Sequence, residues 1–269
     1  MSAIQQVMAA GSIYGTNLMS ALTTASLTTN LKLCLDAGDS ASYDPTVQTD
    51  KWLDRSGGGY DFFRGNVTGS EAQDPTFNGV ADALGSYWSF DGGDYFTYDT
   101  TNEAWMETLH KNGAIFSAVM FYYSSGDAYL LSTDAYTGTG ICINIDTALN
   151  VAVSNASTPA LAVSSDIELE TGRWHMVGIS ITENGGASGG FFYADGDYSQ
   201  VAASDTWNPN YTSPSAGAAS NPMRVGLGIY AGKNDSGTRV SCLAVWQGTA
   251  LTKANMDTIW SAMRGRFGI

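Results

Sequence analysis

The amino-acid sequence predicts an all-β fold: a two-sheet antiparallel sandwich with a short C-terminal amphipathic helix. Three observations carry this. Apolar runs of strand length recur along the chain from residue 31 onward. The gaps between them are filled with turn residues, and 31 Gly accompany 14 Tyr, 10 Phe and 7 Trp, a composition suited to short strands joined by many turns. No strand–helix–strand rhythm appears, which argues against a parallel α/β sheet.

The elements follow in order. "LKLCLDAGD" (31–39) is the first clear strand. In "YWSFDGGDYFTYD" (87–99), Trp88 and Phe90 share one face of an extended run and Phe96 and Tyr98 share one face of the next. Gly92 and Gly93 between them supply a tight hairpin turn flanked by aspartates. The D-x-[DN]-x-[DN]-G string of a calcium loop is missing there, so the segment reads as a turn and not as a metal site.

Further strands are "GAIFSAVMFYY" (113–123), "AYLLST" (128–133), "ICINID" (141–146), "WHMVGISI" (174–181), "GGFFYAD" (189–195), "MRVGLGI" (223–229) and "RVSCLAVW" (239–246). "ENGGASGG" (183–190) and "ADGD" (194–197) join successive strands as hairpin turns. Two segments read as helices. "NEAWMETLH" (102–110) is short, and the C-terminal stretch places Met256, Ile259, Trp260 and Met263 on one face, with Thr252 as N-cap and Gly265 as stop. Ile259 and Trp260 are expected to seal one side of the sandwich.

Charge narrows the partners. The 26 acidic and 12 basic residues give a net charge of −14, which opposes binding to nucleic acid or to an anionic membrane surface. The N-terminus "MSAIQQVMAAGSIYG" lacks the basic and continuous apolar stretches of a signal peptide or membrane span. Cys34, Cys142 and Cys242 are odd in number and lie in apolar strand-like runs, so they read as buried free thiols of a protein folded in a reducing compartment. Residues 1–30, rich in Ala, Ser and Thr, read as an N-terminal arm, and residues 31–269 as the one main domain.

"GRWHMVGISI…GGFFYADGD" resembles the central hairpin of laminin-G-like, concanavalin-A-like modules, with a Gly-x-Trp-His strand followed by one ending Tyr-x-Asp-Gly. "MRVGLGIYAG…RVSCLAVWQGTALTKANMDTIW" is similar to the end of the same family. At the front, "LKLCLDAGDSASYDPTVQTDKWLDRSGG" with "YWSFDGGDYFTYD" resembles the opening strands of such domains in bacteriophage virion proteins, through a Leu-Asp-Ala-Gly start and a Trp-x-Asp-x-Ser-Gly turn. The resemblance spans roughly residues 31–269 and implies a two-sheet jelly roll. It also allows calcium at a sandwich rim, without saying which aspartates would converge. Members include lectins, glycan hydrolases, adhesive modules and virion parts, so function rests on sites.

Three function classes compete. A hydrolase of this fold would use a Glu-x-Asp-x-Glu strand. Here "DIELE" offers Asp166, Glu168 and Glu170, with the first two positions exchanged in length, which misplaces the reacting oxygens. His110 and His175 stand in no nucleophile motif. No catalytic set is assigned. A carbohydrate-binding module would use exposed rings on loops: Trp207 and Tyr211 in the long "SDTWNPNYTSPSAGAASNP" (204–222), and Tyr136 with Asp134 in "STDAYTGTG". The third class, and the sequence's leading expectation, is a non-enzymatic bacteriophage virion structural protein, a head decoration, head fibre or tail appendage. It would be assembled in the host cytoplasm as a homo-oligomer among other virion proteins. Ile4, Val7, Met8, Ile13 and Tyr14 of the arm would make the attachment to the particle, being too few for a core and too many for a solvated tail.

Overall fold

The computed structural model describes residues 16–110, 114–133, 138–146, 148–155, 158–182, 189–200, 219–228 and 232–269. Its strands, in chain order, are β1 (Leu31–Asp36), β2 (Lys51–Trp52), β3 (Phe62–Arg64), β4 (Thr76–Asn78), β5 (Tyr87–Ser89), β6 (Phe96–Tyr98), β7 (Ile115–Tyr123) and β8 (Ala128–Ser132). They continue with β9 (Gly140–Ile145), β10 (Ala148–Asn155), β11 (Thr158–Glu168), β12 (Trp174–Thr182), β13 (Gly190–Ala194), β14 (Asp197–Gln200), β15 (Arg224–Val225) and β16 (Arg239–Gln247). Among the described residues three helices accompany them: α1 (Leu18–Thr24), α2 (Ala104–Thr108) and α3 (Lys253–Phe267).

The strands form two antiparallel sheets, as the alternation predicts. Sheet I runs β14-β13-β12-β7-β16-β5-β4, with β1 also paired to β16, and sheet II runs β11-β10-β9-β8-β15-β6-β3-β2. Period-two alternation points one side of each strand into a shared apolar layer between the sheets. From β7, Phe116, Ala118, Met120 and Tyr122 enter that layer, and from β9, Ile141, Ile143 and Ile145 meet them from the other sheet. The opposite side of β7 is apolar too. Val119 and Phe121 lie in a second core with Met176, Tyr193, Trp246 and the buried faces of α1 and α3. Burial on both faces explains why β7, β12 and β16 read as continuous apolar runs.

The C-terminal helix lies across sheet I. Thr252 caps it by accepting from the Asn255 N–H, and the Asn255 side chain accepts from the Thr252 N–H in return. Met256, Ile259 and Met263 are buried. A Cβ on Gly178 of β12 would lie 2.7 Å from the Met256 sulfur, so only glycine lets the helix approach this closely. The Tyr193 hydroxyl donates to Asp257 at 3.0 Å, and burial followed by that carboxylate pushes the phenol pKa up.

Four expectations are corrected. The turn at Gly92 does not close a hairpin: β5 belongs to sheet I and β6 to sheet II, so the segment is a corner between layers. Alternation specifies which side a residue faces, not which strand it pairs with. Trp88 and Phe96 both face the inter-sheet core and meet ring to ring at 5.0 Å across it. The last helix runs through Gly265 to Phe267 and ends at Gly268, whose φ of 70° makes the left-handed cap. Ile259 is buried, but Trp260 is only half-buried, stacked under Arg264 at 4.6 Å. The domain begins before residue 31: Leu18 and Leu22 of α1 are fully buried in the second core, so only residues 1–15 of the expected arm lie outside the described fold.

One ion pair joins the two ends of the chain. The Arg266 guanidinium donates to both oxygens of Asp36, at 2.8 and 2.6 Å, and neither side chain has any solvent exposure. Asp36 also accepts from the backbone N–H of Leu18 at 2.7 Å and of Gly38 at 2.8 Å, and Arg266 donates to Ser241 at 2.8 Å. Arg266→Ala should therefore cost about 3–5 kcal/mol in chemical unfolding, because it strands a buried carboxylate. The exposed Arg264→Ala, in the same last turn, should fall within about 0.5 kcal/mol of the parent; equal effects would show that the pair has no special weight.

The corner carries a second consequence. Asp94 is 4% exposed, and burial, with Asp91 and Asp74 nearby, pushes its carboxyl pKa up to about 7, well above the usual carboxylate range. A folded-state pKa above the unfolded one means the fold favours the neutral acid. That contribution is complete below the unfolded pKa and is lost as pH rises through about 7. Asp94→Asn, permanently neutral, should show a smaller fall in melting temperature than the parent between mildly acidic and mildly basic pH; parallel curves would rule the assignment out.

Candidate functional site

Several motifs that the sequence singles out prove to be structural. In the Trp-x-Asp-x-Ser-Gly turn, Asp54 accepts from the backbone N–H of Cys34 and of Ser56, both at 2.9 Å, and from the Ser56 hydroxyl at 2.6 Å, which ties the turn to β1. In Gly-Arg-Trp-His, His175 is 3% exposed. One ring nitrogen contacts Asp195 and the other the Glu170 carbonyl, each at 2.7 Å. Asp195 also accepts from the Met176 N–H at 2.8 Å, so the motif fastens β12 to the β13–β14 turn. That turn is the predicted hairpin, with Asp195 at φ 51° and Gly196 at φ 103°. Cys34, Cys142 and Cys242 are buried free thiols, and burial, aided by Asp36, raises the pKa of Cys34 and Cys242.

The acidic trio is not assembled. Asp166 and Glu168 line a shallow groove of about 690 Å³ where the edges of β11 and β14 approach, with Asp197 and Gln200 on its other lip. Glu170 lies beyond the end of β11 and pairs with Arg173 at 3.1 Å. His110 is fully buried behind Glu107, at 3.8 Å. Among the described residues no three His, Cys, Asp or Glu stand where they could hold a metal ion, and no helix is long and apolar enough to cross a membrane.

A second groove, of about 350 Å³, opens on the outer face of sheet II. Phe63 of β3 and Thr97 of β6 line it because their neighbours Phe62, Phe96 and Tyr98 face the core. Its wall is built by 99–102, by Glu107 of α2 and by 219–222. Asn102 holds that wall: its amide donates to the Asn221 carbonyl and accepts from the Met223 N–H, both at 2.8 Å. Glu107 accepts from the Ala219 N–H. The Thr97 hydroxyl is buried with no hydrogen-bond partner. Lys51 sits 5.0 Å from the centre of the Phe63 ring and pairs with Asp99 at 2.6 Å, so the cation beside the groove is already neutralised.

The loop residues that the sequence selects for sugar binding, Asp134, Tyr136, Trp207 and Tyr211, lie outside the described residues, as do Ile4, Val7, Met8, Ile13 and Tyr14. Chain 138–139 follows the first loop and 219–222 follows the second, and the two are tied together by Ser220 N–H to the Thr139 carbonyl and Thr139 N–H to the Ser220 hydroxyl, both at 2.8 Å. Ser220 is part of the groove wall. Phe63 and Thr97 escape sequence reasoning because each sits in a very short strand whose outward side only the sheet arrangement reveals.

No family model and no curated protein matches the chain. Solved structures share its fold. Domain 4 of AbnA, a GH43 extracellular arabinanase from Geobacillus stearothermophilus, in complex with arabinotriose, is 13% identical with a TM-score of 0.54, over 87% of this chain and 98% of that one. Trypanosoma rangeli sialidase in complex with 2,3-difluorosialic acid is 16% identical with a TM-score of 0.51, over 86% of this chain and 32% of that one. The binding domain of botulinum neurotoxin DC in complex with SialylT is 11% identical with a TM-score of 0.50, over 88% and 52%. The chain thus spans about a third of the sialidase. At these identities the likeness establishes the fold alone, a lectin-like β-sandwich found in carbohydrate-binding and glycan-processing proteins.

Proposed function

We propose that this protein is a carbohydrate-binding module that takes a neutral, hydroxyl-rich glycan in the groove between Phe63, Thr97 and segment 219–222. One observation carries the reading: segment 219–222, which follows the sugar-stacking candidates Trp207 and Tyr211 in the chain, forms a wall of that groove, and its Ser220 is hydrogen-bonded to Thr139. Its volume of about 350 Å³ falls within the range of small-ligand sites. A sugar needs one ring face to stack on and polar groups for its hydroxyls; Phe63 offers the first, and Asn66 and Asp99 the second. The arabinotriose and SialylT complexes of the fold neighbours support this class without assigning a ligand to this chain.

The module is read as binding without cleavage. Screening the protein on a glycan array, then titrating the best neutral ligand calorimetrically, tests both parts. Phe63→Ala should weaken binding roughly two- to tenfold, the value of one lost stacking contact. Glu168→Gln should change neither affinity nor the integrity of the glycan over long incubation. Absence of any neutral ligand, or full affinity in Phe63→Ala, would refute the site, and cleavage abolished by Glu168→Gln would make the protein a hydrolase.

A virion setting for the module is supported by the phage-like opening strands and by the apolar residues of 1–15. Because α1 belongs to the core, the informative truncation starts at Thr16 rather than Leu31. That form should keep its circular dichroism and glycan binding but no longer sediment with particles lacking the protein; undiminished rebinding would discard the arm's role.

A further inference from the structure

The outer face of sheet I is covered by α1 and α3 except at one end, where α3 stops. There Trp174, Tyr123, Arg239 and Tyr87, all half-buried, stand in a row across β12, β7, β16 and β5. Strand register creates the row. Trp174 pairs with Tyr123, Tyr123 with Arg239, and Arg239 with Ser89, two residues from Tyr87. Trp174 meets Tyr123 and Tyr87 edge-on at 5.9 and 5.8 Å and rests against Phe267 of α3 at 4.9 Å.

The guanidinium of Arg239 lies 4.4 Å from the ring centre of Tyr123 and 5.0 Å from that of Tyr87. Among the described residues it has no hydrogen-bond acceptor and no ion pair, and its nitrogens remain open to solvent. Arg264, over Trp260 at 4.6 Å, also lacks an ion pair among the described residues, but it stands exposed on the last turn of α3, whereas Arg239 lies half-buried on the sheet. Elsewhere Arg55 is held by Asp39, Arg64 by the Pro75 and Thr49 carbonyls, Arg173 by Glu170 and Asp195, and Arg266 by Asp36. Arg239 is positioned by ring faces instead, which orient its planar fork and leave the donors to another molecule.

We propose that this row is a second binding site, for a sugar residue bearing a carboxylate. The fork of Arg239 would take the two carboxylate oxygens through parallel hydrogen bonds, and the flat edge of Trp174 and the tyrosines would take the C–H face of the sugar ring. Charge complementarity selects this occupant. At the row a single cation without an ion pair matches one negative charge, whereas a phosphate-rich chain would bring many. An acidic peptide would leave the rings without a flat partner. The protein's overall negative charge acts weakly at the row, since salt screens it beyond roughly 8 Å. The row lies on sheet I and the neutral-glycan groove on sheet II, so either can fail without the other.

The test titrates the full chain with trigalacturonate and with sialyllactose, against maltotriose, lactose and sodium sulfate, following the Trp fluorescence and the heat. An acidic saccharide should bind more tightly than its neutral counterpart, and less tightly as NaCl is raised. Arg239→Gln should lose roughly tenfold or more of that affinity and Arg239→Lys part of it, while Phe63→Ala leaves it unchanged. Should Arg239→Gln fail to fold by circular dichroism, Arg239→Lys decides alone. Acidic saccharides bound no better than neutral ones, sulfate bound as tightly as the saccharides, or full affinity in the folded Arg239 variants would each overturn the proposal.

Discussion

The Asp36–Arg266 pair is the constraint on which the layered architecture depends. It joins residues 230 positions apart, the end of the first strand and the last turn of the last helix, with no water in reach of either charge. Burial alone would lower the pKa of Arg266, and the neighbouring Asp36 outweighs that and raises it, so the guanidinium keeps its charge. Removing a carboxylate of this kind would also strand the N–H groups of Leu18 and Gly38 that it accepts from. One side chain thus fastens α1, β1 and α3 together. An apolar contact could fill the same space but could not specify this one arrangement of three elements.

The consequence is an asymmetric molecule. With α1 and α3 held against it, sheet I is buried on both faces along β7, β12 and β16. Sheet II has no helical layer of that size, and its outer face carries polar and half-buried side chains such as Phe63, Lys51 and Arg224. Among the described residues, the outer face of sheet II and the end of sheet I that α3 does not reach are two places left open to a ligand. The groove and the aromatic row occupy these two places. Their electrostatics differ for the same reason. Beside the groove Lys51 is neutralised by Asp99, whereas Arg239 sits among rings with no carboxylate at hand.

The motifs that make the chain look lectin-like belong to the scaffold and not to the ligand. Asp54 and His175 spend their polar atoms on backbone groups of neighbouring turns. That is why such motifs can mark a fold across proteins of different activity, and why fold neighbours between 11 and 16% identical show the fold of this chain and not its ligand.

By itself the sequence determined the class of fold, many of the strands though not β2 to β4 or β10, the β12–β13–β14 pairing, the N-cap of the last helix and the burial of the three cysteines. All are local matters: side-chain period, turn chemistry and the cost of exposing apolar runs act within a few residues. It marked Trp207, Tyr211, Tyr136 and Asp134 through loop composition but could not pair Thr139, after one loop, with Ser220, after the other, because they lie 81 positions apart. Tertiary structure alone decided that the Gly92 corner crosses between sheets, that Gly265 continues a helix, and that residues from Leu18 onward belong to the core. It alone placed Phe63 beside Thr97 and Arg239 between Tyr123 and Tyr87. Each depends on which strand lies beside which. Alternation assigns a residue to a side of its sheet, and only the packing of both sheets and the helices chooses its neighbours.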